Sequence, residues 1–490
     1  MRSRRITRRE AMILGAGAVL TAGCGSAHVN GAGATGSTLA STWIDPGGTG
    51  TLSPGPGEAL IARTELGPAR AAEGVLATLA HVTDAHVLDA SSPARVPFLD
   101  RLGDPFESTF RPQETLTAQV LAGAAGAIRA LAPDAVIQGG DLIDNDQRNE
   151  LTWALAALRG GFVRPGRYYG VQLASDPDPF YYRPDLDAPQ HPGLLSRAAR
   201  PFVSVGVGVG CPVYPVLGDH DILVAGELVP TGDTRALAVG DEALWELPPG
   251  LSPPPGTSLT AGGSPDGPPL PGPVNELLAR ALAGPKVRVP PDPRRREMDA
   301  AEVVAALRAD TRASLDYHAD IGRDLRLIVL DLARRGGGSG GLVRPSQPGW
   351  LAGRLDEAGA LARHVIVVSH QPLASSEGGE SILSLLDAHP RVIAALSGHT
   401  HRNLIEPRAG YWLISTASLI DYPQQARALR VLRTAGGGVA IQTWMLDHAA
   451  PGDLGATSRQ LAYLDAQGGR PKGFAGGRLD RNVTLYRADA

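Results

Sequence analysis

Cysteine is nearly absent, with Cys24 and Cys211 the two in 490 residues. A disulfide framework of the kind that staples small exported domains is thereby excluded. Lysine is as scarce: of 46 basic residues only Lys286 and Lys472 are lysines, and aromatic residues make up 5%. Charge of one sign is lacking too. A formal net charge of −4 argues against a general polyanion-binding surface, and so against nucleic acid as an obligate partner. The apolar stretch over residues 11–23 falls short of the roughly 20 residues needed to span a bilayer. What is abundant is core-forming material. A hydrophobic share of 43% supports a sizeable core, and the length allows more than one domain, although large α/β folds often run past about 250 residues as one unit.

The N-terminal 24 residues read as an address and not as part of the fold. Arg4-Arg5 and Arg8-Arg9 precede the apolar stretch, and Thr7-Arg8-Arg9-Glu10-Ala11-Met12-Ile13 resembles a twin-arginine export signal. Leu20-Thr21-Ala22-Gly23-Cys24 is similar to a bacterial lipoprotein cleavage site, with threonine at Thr21 where leucine is usual. Lipidation of Cys24 makes the membrane a partner and places the chain on the outer face of the cytoplasmic membrane or cell envelope. The alternative is ordinary cleavage near Ala22 and secretion. Cys211, in an apolar stretch, reads as a buried small hydrophobe. Residues 25–57, rich in Gly, Ser, Thr and Pro, have the composition of a flexible tether.

From residue 58 to about 450 buried-strand runs alternate with helical spacing, the pattern of a layered α/β domain. Residues 75–82, 135–138, 325–331, 364–368, 391–396 and 411–416 read as strands. Residues 115–132, 149–158, 347–362 and 381–388 read as helices, and 428–433 with 438–445 as an antiparallel pair. Residues 222–300 are rich in Pro and Gly and read as a surface insertion carrying one or two short helices, near 274–283 and 299–307. Residues 451–490 show no clear period and read as a peripheral tail.

Five short segments carry the chemistry: Asp84-Ala85-His86, Gly139-Gly140-Asp141, Gly218-Asp219-His220-Asp221, Ser369-His370 and Gly398-His399-Thr400-His401. Most follow an apolar run, so the loops beyond several strands can converge on one point, as sites do at the carboxyl edge of α/β sheets. Mixed carboxylate and imidazole donors suit Mn, Fe or Zn better than Ca, which prefers oxygen alone. On extended backbone, Asp84-x-His86 and His399-x-His401 would each turn two side chains to one face, because strand side chains have period two. Taken singly each motif is weak, since Asp-x-His and Gly-Gly-Asp are common in loops and turns.

Together, in this order, the segments resemble those of the calcineurin-like metallophosphoesterases, over residues 75–447 without the insertion. Residues 144–151 and 415–425 are similar to an exported bacterial branch of that family. The resemblance implies a four-layered α-β-β-α sandwich and hydrolysis of a small phosphoester by a water activated between two divalent metal ions. It implies one metal held by Asp84, His86, Asp141 and His401, and a second by Asp141, Asp219, His370 and His399. His220 would protonate the leaving oxygen, and Asp221 would orient His220 through its ring N–H. The family normally has asparagine where this chain has Asp219. The extra negative charge predicts tighter cation retention and a slight preference for monoanionic diesters. A non-catalytic surface lipoprotein using the same metal-binding fold is the alternative.

His81, like the other histidines outside the motifs, reads as structural. Asn145, Arg402 and Asn403 lie near ligands in sequence, which makes them candidates for supporting contacts. Tyr181 and Tyr182 are candidate pocket residues, and Asp421 and Gln424 read as structural.

Overall fold

Alternation within single strands divides the interior into layers. In the strand Leu325–Leu330, Leu327 and Val329 join one buried cluster while Ile328 and Leu330 join another. His364–Ser369 divides likewise, Ile366 and Val368 against Val365 and Val367. A strand buried on both faces is apolar at nearly every position, which is why these runs are close to continuous and not alternating; the exception within Leu325–Leu330, Arg326, is paired with Asp320. The computed structural model describes residues 35–95, 111–168, 191–244, 246–253, 255–264, 266–308, 315–450, 452–465, 468–470 and 473–488. The export signal, residues 25–34 of the expected tether, Tyr181 and Tyr182 lie outside the described residues. Among those described, no helix is long and apolar enough to cross a membrane.

Two large sheets carry the fold. Their strands are β1 (Ile61–Leu66), β2 (Ala72–Val82), β3 (Ala135–Gln138), β4 (Val213–Pro215), β5 (Tyr317–Ile321), β6 (Leu325–Leu330), β7 (His364–Ser369), β8 (Val392–Ser397), β9 (Leu404–Arg408), β10 (Tyr411–Ser415), β11 (Gln425–Thr434), β12 (Val439–Asp447) and β13 (Val483–Arg487). The first sheet has the order β1-β13-β12-β11-β2-β3-β4, and the second β5-β6-β7-β8-β10-β9. In the first, β2, β3 and β4 run parallel. In the second, β6, β7, β8 and β10 do.

Helix α1 (Thr117–Leu131) packs on β11 and β12 and against α2 (Arg148–Arg159). Further along are α3 (Pro271–Ala281), α4 (Ala300–Arg308), α5 (Gln347–Ala360) and α6 (Gly379–Asp387). Leu351 and Leu355 of α5 and Ile382, Leu383 and Leu386 of α6 cover the Ile328/Leu330 face of the second sheet. The opposite face, through Leu327, Val329, Ile366 and Val368, shares a cluster with Leu79, Leu429, Val431 and Ile441 of the first sheet. The order is helix, sheet, sheet, helix: the expected four-layered α/β sandwich.

Three segments differ from the sequence reading. Of the expected tether, residues 35–57 are folded. Ser41–Ile44 pairs antiparallel with Ser53–Pro56, and the Thr38 backbone N–H and hydroxyl both donate to the Met445 carbonyl, at 3.0 and 2.9 Å. Hydroxyls that satisfy backbone groups can hold such a segment without apolar periodicity. The expected tail forms α7 (Asp453–Leu464) and β13, which inserts between β1 and β12. Its period-two signal is only Val483 and Leu485, too brief to read as a strand in isolation.

The insertion contains helix Gly232–Val239, α3, and a hairpin of Glu242–Leu244 with Lys286–Arg288. A small core of its own includes Leu244, Leu259, Val274 and Leu277. Arg295, 3% exposed, anchors it: Nε donates to Asp89 Oδ2 and Nη2 to Ser91 Oγ, each at 2.8 Å.

Candidate metal centre

The five segments lie immediately beyond the carboxyl ends of parallel strands: 84–86 after β2, 141 after β3, 219–221 after β4, 370 after β7 and 399–401 after β8. Three come from one sheet and two from the other, so the centre straddles the sandwich edge. Asp84, His86, Asp141, His399 and His401 have φ of +52°, +42°, +46°, +64° and +56°. This corrects the expectation of extended backbone. Each is a single left-handed step, uncommon for residues with a Cβ and typical of functional sites whose surroundings over-determine the conformation. The glycines have a related reason. A Cβ on Gly140 (φ +97°) would run into the His370 ring, and one on Gly218 into the Asp141 carboxylate.

The side chains converge in two groups. Asp141, Asp219, His370 and His399 bring their donor atoms within 4.8 Å of one another, and so do Asp84, His86 and His401. Asp141 lies between the groups: its Oδ2 is 3.0 Å from His370 Nε2 and 3.7 Å from His86 Nε2. His370 Nε2 is also 3.3 Å from Asp219 Oδ1, while His399 Nδ1 is 3.4 Å from the same oxygen. His401 Nε2 is 3.4 Å from Asp84 Oδ1. All seven residues predicted as metal ligands are therefore brought together.

Ring nitrogens facing away from the centre are tethered. His370 Nδ1 donates to the Gly139 carbonyl at 2.8 Å, and His401 Nδ1 to Asp421 Oδ2 at 2.6 Å. His86 Nδ1 is 3.3 Å from Asp144 Oδ1. Such tethers fix the tautomer that leaves the Nε2 lone pair free for a cation. His86 Nε2 and His370 Nε2 are buried and make no well-directed hydrogen bond, a costly state for a polar atom unless something else binds it.

The electrostatics agree. Burial by itself lowers His370 and His401, but Asp141 and Asp84 hold His370 well above the usual imidazole range. Asp421 and Asp84 push His401 up to about 10. Burial would raise Asp219, yet His399 and His370 hold it well below the usual carboxylate range. A site that demands this much positive charge, through mixed N and O donors, fits divalent ions of the Mn, Fe or Zn type.

His220 stands beside the groups, with its ring 4.4 Å from that of His86, edge to face. Its Nδ1 donates to the Asp144 carbonyl at 2.7 Å, so Nε2 faces the open side. Asp221 does not orient it, contrary to expectation. The Asp221 carboxylate accepts from the Leu142 and Gly218 backbone N–H groups, each at 2.9 Å, and from Ile143 at 3.3 Å. Three buried backbone donors take both its oxygens, so Asp221 braces the loops under the centre. Burial, reinforced by Asp141, raises its carboxyl to about 7.

A cavity of about 420 Å³ opens over both groups. Arg95 is the one Arg or Lys among the described residues lining it, and it is engaged: Nη2 is 2.6 Å from Glu114 and Nε 2.9 Å from Asp144. Burial raises Glu114 to about 8, offset in part by Arg95. Sequence reasoning missed Arg95 and Glu114, which no motif marks. It passed over Asp144, although three residues from a candidate ligand is a usable signal. Asp421, read as structural, is the acceptor behind His401. Asn145 braces the site: its Nδ2 donates to Asp144 and its Oδ1 accepts from Ala225 N–H. Asn403 instead holds Arg427 and Ala417, and Arg402 is exposed. Gln424 bonds Ser458 and His81 bonds Thr416, consistent with structural roles. Cys211 is half-buried against the core.

No protein-family model and no curated protein matches the chain. Among solved structures it is similar to a dimetal phosphatase from Danio rerio, at 13% identity over 76% of this chain and 100% of that one, with a TM-score of 0.38. It is also similar to the sulfate thiohydrolase SoxB of Thermus thermophilus, at 12% identity over 79% of this chain and 60% of that one, with a TM-score of 0.29.

Proposed function

We propose that this chain hydrolyses a phosphate mono- or diester with two divalent cations, Mn, Fe or Zn, held at the sandwich edge. One observation carries the reading: seven Asp and His side chains from five strand ends meet in two adjoining groups, with His220 at their open side. Asp84, His86 and His401 would hold one cation, Asp219, His370 and His399 the other, and Asp141 both. Cations so placed supply Lewis-acid polarisation of a phosphoryl oxygen and a lowered pKa for water. His220, kept in one tautomer by the Asp144 carbonyl, presents Nε2 to the cavity and can hand a proton to the leaving alkoxide. A domain that only bound metal would have no use for that proton. Among the described residues the one guanidinium lining the cavity, Arg95, is already engaged by Glu114 and Asp144, and the extra negative charge of Asp219 favours monoanionic diesters.

The test is the protein from residue 25 onward, loaded with Mn, Fe or Zn, against mono- and diesters. Turnover should fall about 10²–10⁴-fold in His220→Ala with metal content retained. Absence of activity with every metal, or equal activity in the variant, ends the hydrolase reading. The twin-arginine and lipobox segments support an exported protein anchored through Cys24. Membrane fractionation of Cys24→Ser should move it to the soluble fraction, and unchanged fractionation removes the anchor.

A further inference from the structure

Beside the metal centre lies a second cavity of about 300 Å³. Its walls include Pro372, Leu373, Ala374, Leu404 and Leu413, and Ala395 is among the strand residues that line it. It opens where the helical layer ends: α5 and α6 cover Val365, Val367 and Val392. The ends of β8 and β10 carry Ala395, Ser397, Leu413 and Ser415, with Ala395 and Leu413 at the margin of that same cluster. Short side chains at Ala395 and Ser397 leave room that a leucine would fill. Leu404 is 40% exposed, so apolar surface is left to solvent. Ser375 and Thr400 line both cavities, and Thr400 lies between two candidate ligands, His399 and His401. Its hydroxyl is turned to Ser415 at 3.0 Å, so the rim joins the two spaces.

We infer that this groove receives the aliphatic part of the alcohol esterified to the phosphate, so that the substrates are phosphate esters of apolar alcohols. The inference rests on the phosphoesterase reading for the phosphate, but the groove stands on its own geometry. Adjacency across Ser375 and Thr400 selects the occupant, since a chain attached to a phosphate at the centre has only that rim to pass before it meets leucine and proline. Most of the surface the groove offers is aliphatic, although Ser397, Ser415 and Glu406 also line it, so burying an alkyl chain there gains more than burying a polar sugar or nucleoside. Removing one methylene from water is worth about a two- to fourfold change in affinity.

The experiment uses two homologous series, from methyl to octyl: alkyl phosphates for turnover with Mn²⁺, and alkyl phosphonates, which are not hydrolysed, for calorimetric binding. Both kcat/KM and affinity should climb two- to fourfold per methylene before levelling. Leu404→Asp and Ala374→Asp, at exposed positions that tolerate change, should flatten the slope. Val209→Asp, on a different and fully exposed surface, should leave it intact. Equal binding of methyl and octyl phosphonate overturns the groove, even if methyl phosphate is hydrolysed. A steep binding slope with no phosphate release upholds the groove, and if alkyl diesters and loading with Fe or Zn also give no release, the hydrolase reading falls instead.

Discussion

Behind His86 and His401 stand the carboxylates of Asp144 and Asp421, whereas behind His370 stands the Gly139 carbonyl and behind Asp219 the Gln371 amide. Beyond the shared Asp141, each group has one carboxylate of its own, Asp84 in the first and Asp219 in the second. The first adds charge from behind through two imidazoles, whereas the second is backed by neutral dipoles. A carboxylate behind an imidazole raises its basicity and fixes its tautomer, while a carbonyl mainly orients it. The two positions should therefore differ in what weakens them: outer charge for the first, inner charge for the second.

The largest effect is expected where the groups meet. Asp141→Asn removes the charge facing both, so metal content should fall from two ions per chain to one or none. Turnover should fall by more than the roughly 10²–10⁴-fold attached to a general acid. Elemental analysis beside kinetics measures both, and two retained ions would mean that Asp141 does not link the groups. Next comes a matched pair. Asp421→Asn should weaken one cation by about 10–100-fold, whereas Gln371→Ala should cost the other cation under about tenfold. Stepwise metal titration reads the two affinities separately, and equal losses would erase the distinction between charged and neutral backing. Smallest is Asp219→Asn, which lowers inner charge without removing a donor atom. Cation retention should loosen several-fold and the monoester-to-diester rate ratio should rise. No change in either would show that charge at this position is irrelevant.

Much of the fold is legible from runs such as residues 325–330 and 364–368, because a strand buried on both faces leaves continuous apolar residues in the sequence. All seven candidate ligands are legible as well, since each sits just past such a run. What failed to show has physical causes. Val483 and Leu485 give too short an alternation to announce a strand inside the first sheet. Residues 35–57 are held by hydroxyl-to-backbone hydrogen bonds, which leave no periodic trace. Arg95 acts on the centre only through Glu114 and Asp144 and sits in no motif, and Asp421 reaches back to His401 across a loop whose path no local pattern records. Asp221 looked like the partner of His220 because it is adjacent to it, yet adjacent side chains diverge wherever the backbone turns.

The sequence by itself determined which residue types could bind cations and in what order the strands would deliver them, because strand burial and donor chemistry are local properties. Only the tertiary structure decided which carboxylate backs which histidine, that the ligands are aimed by left-handed single residues, and that an apolar groove adjoins the centre. Those facts depend on segments up to 315 residues apart, such as Asp84 and the His399 backbone N–H it accepts from, and no local pattern encodes such a distance.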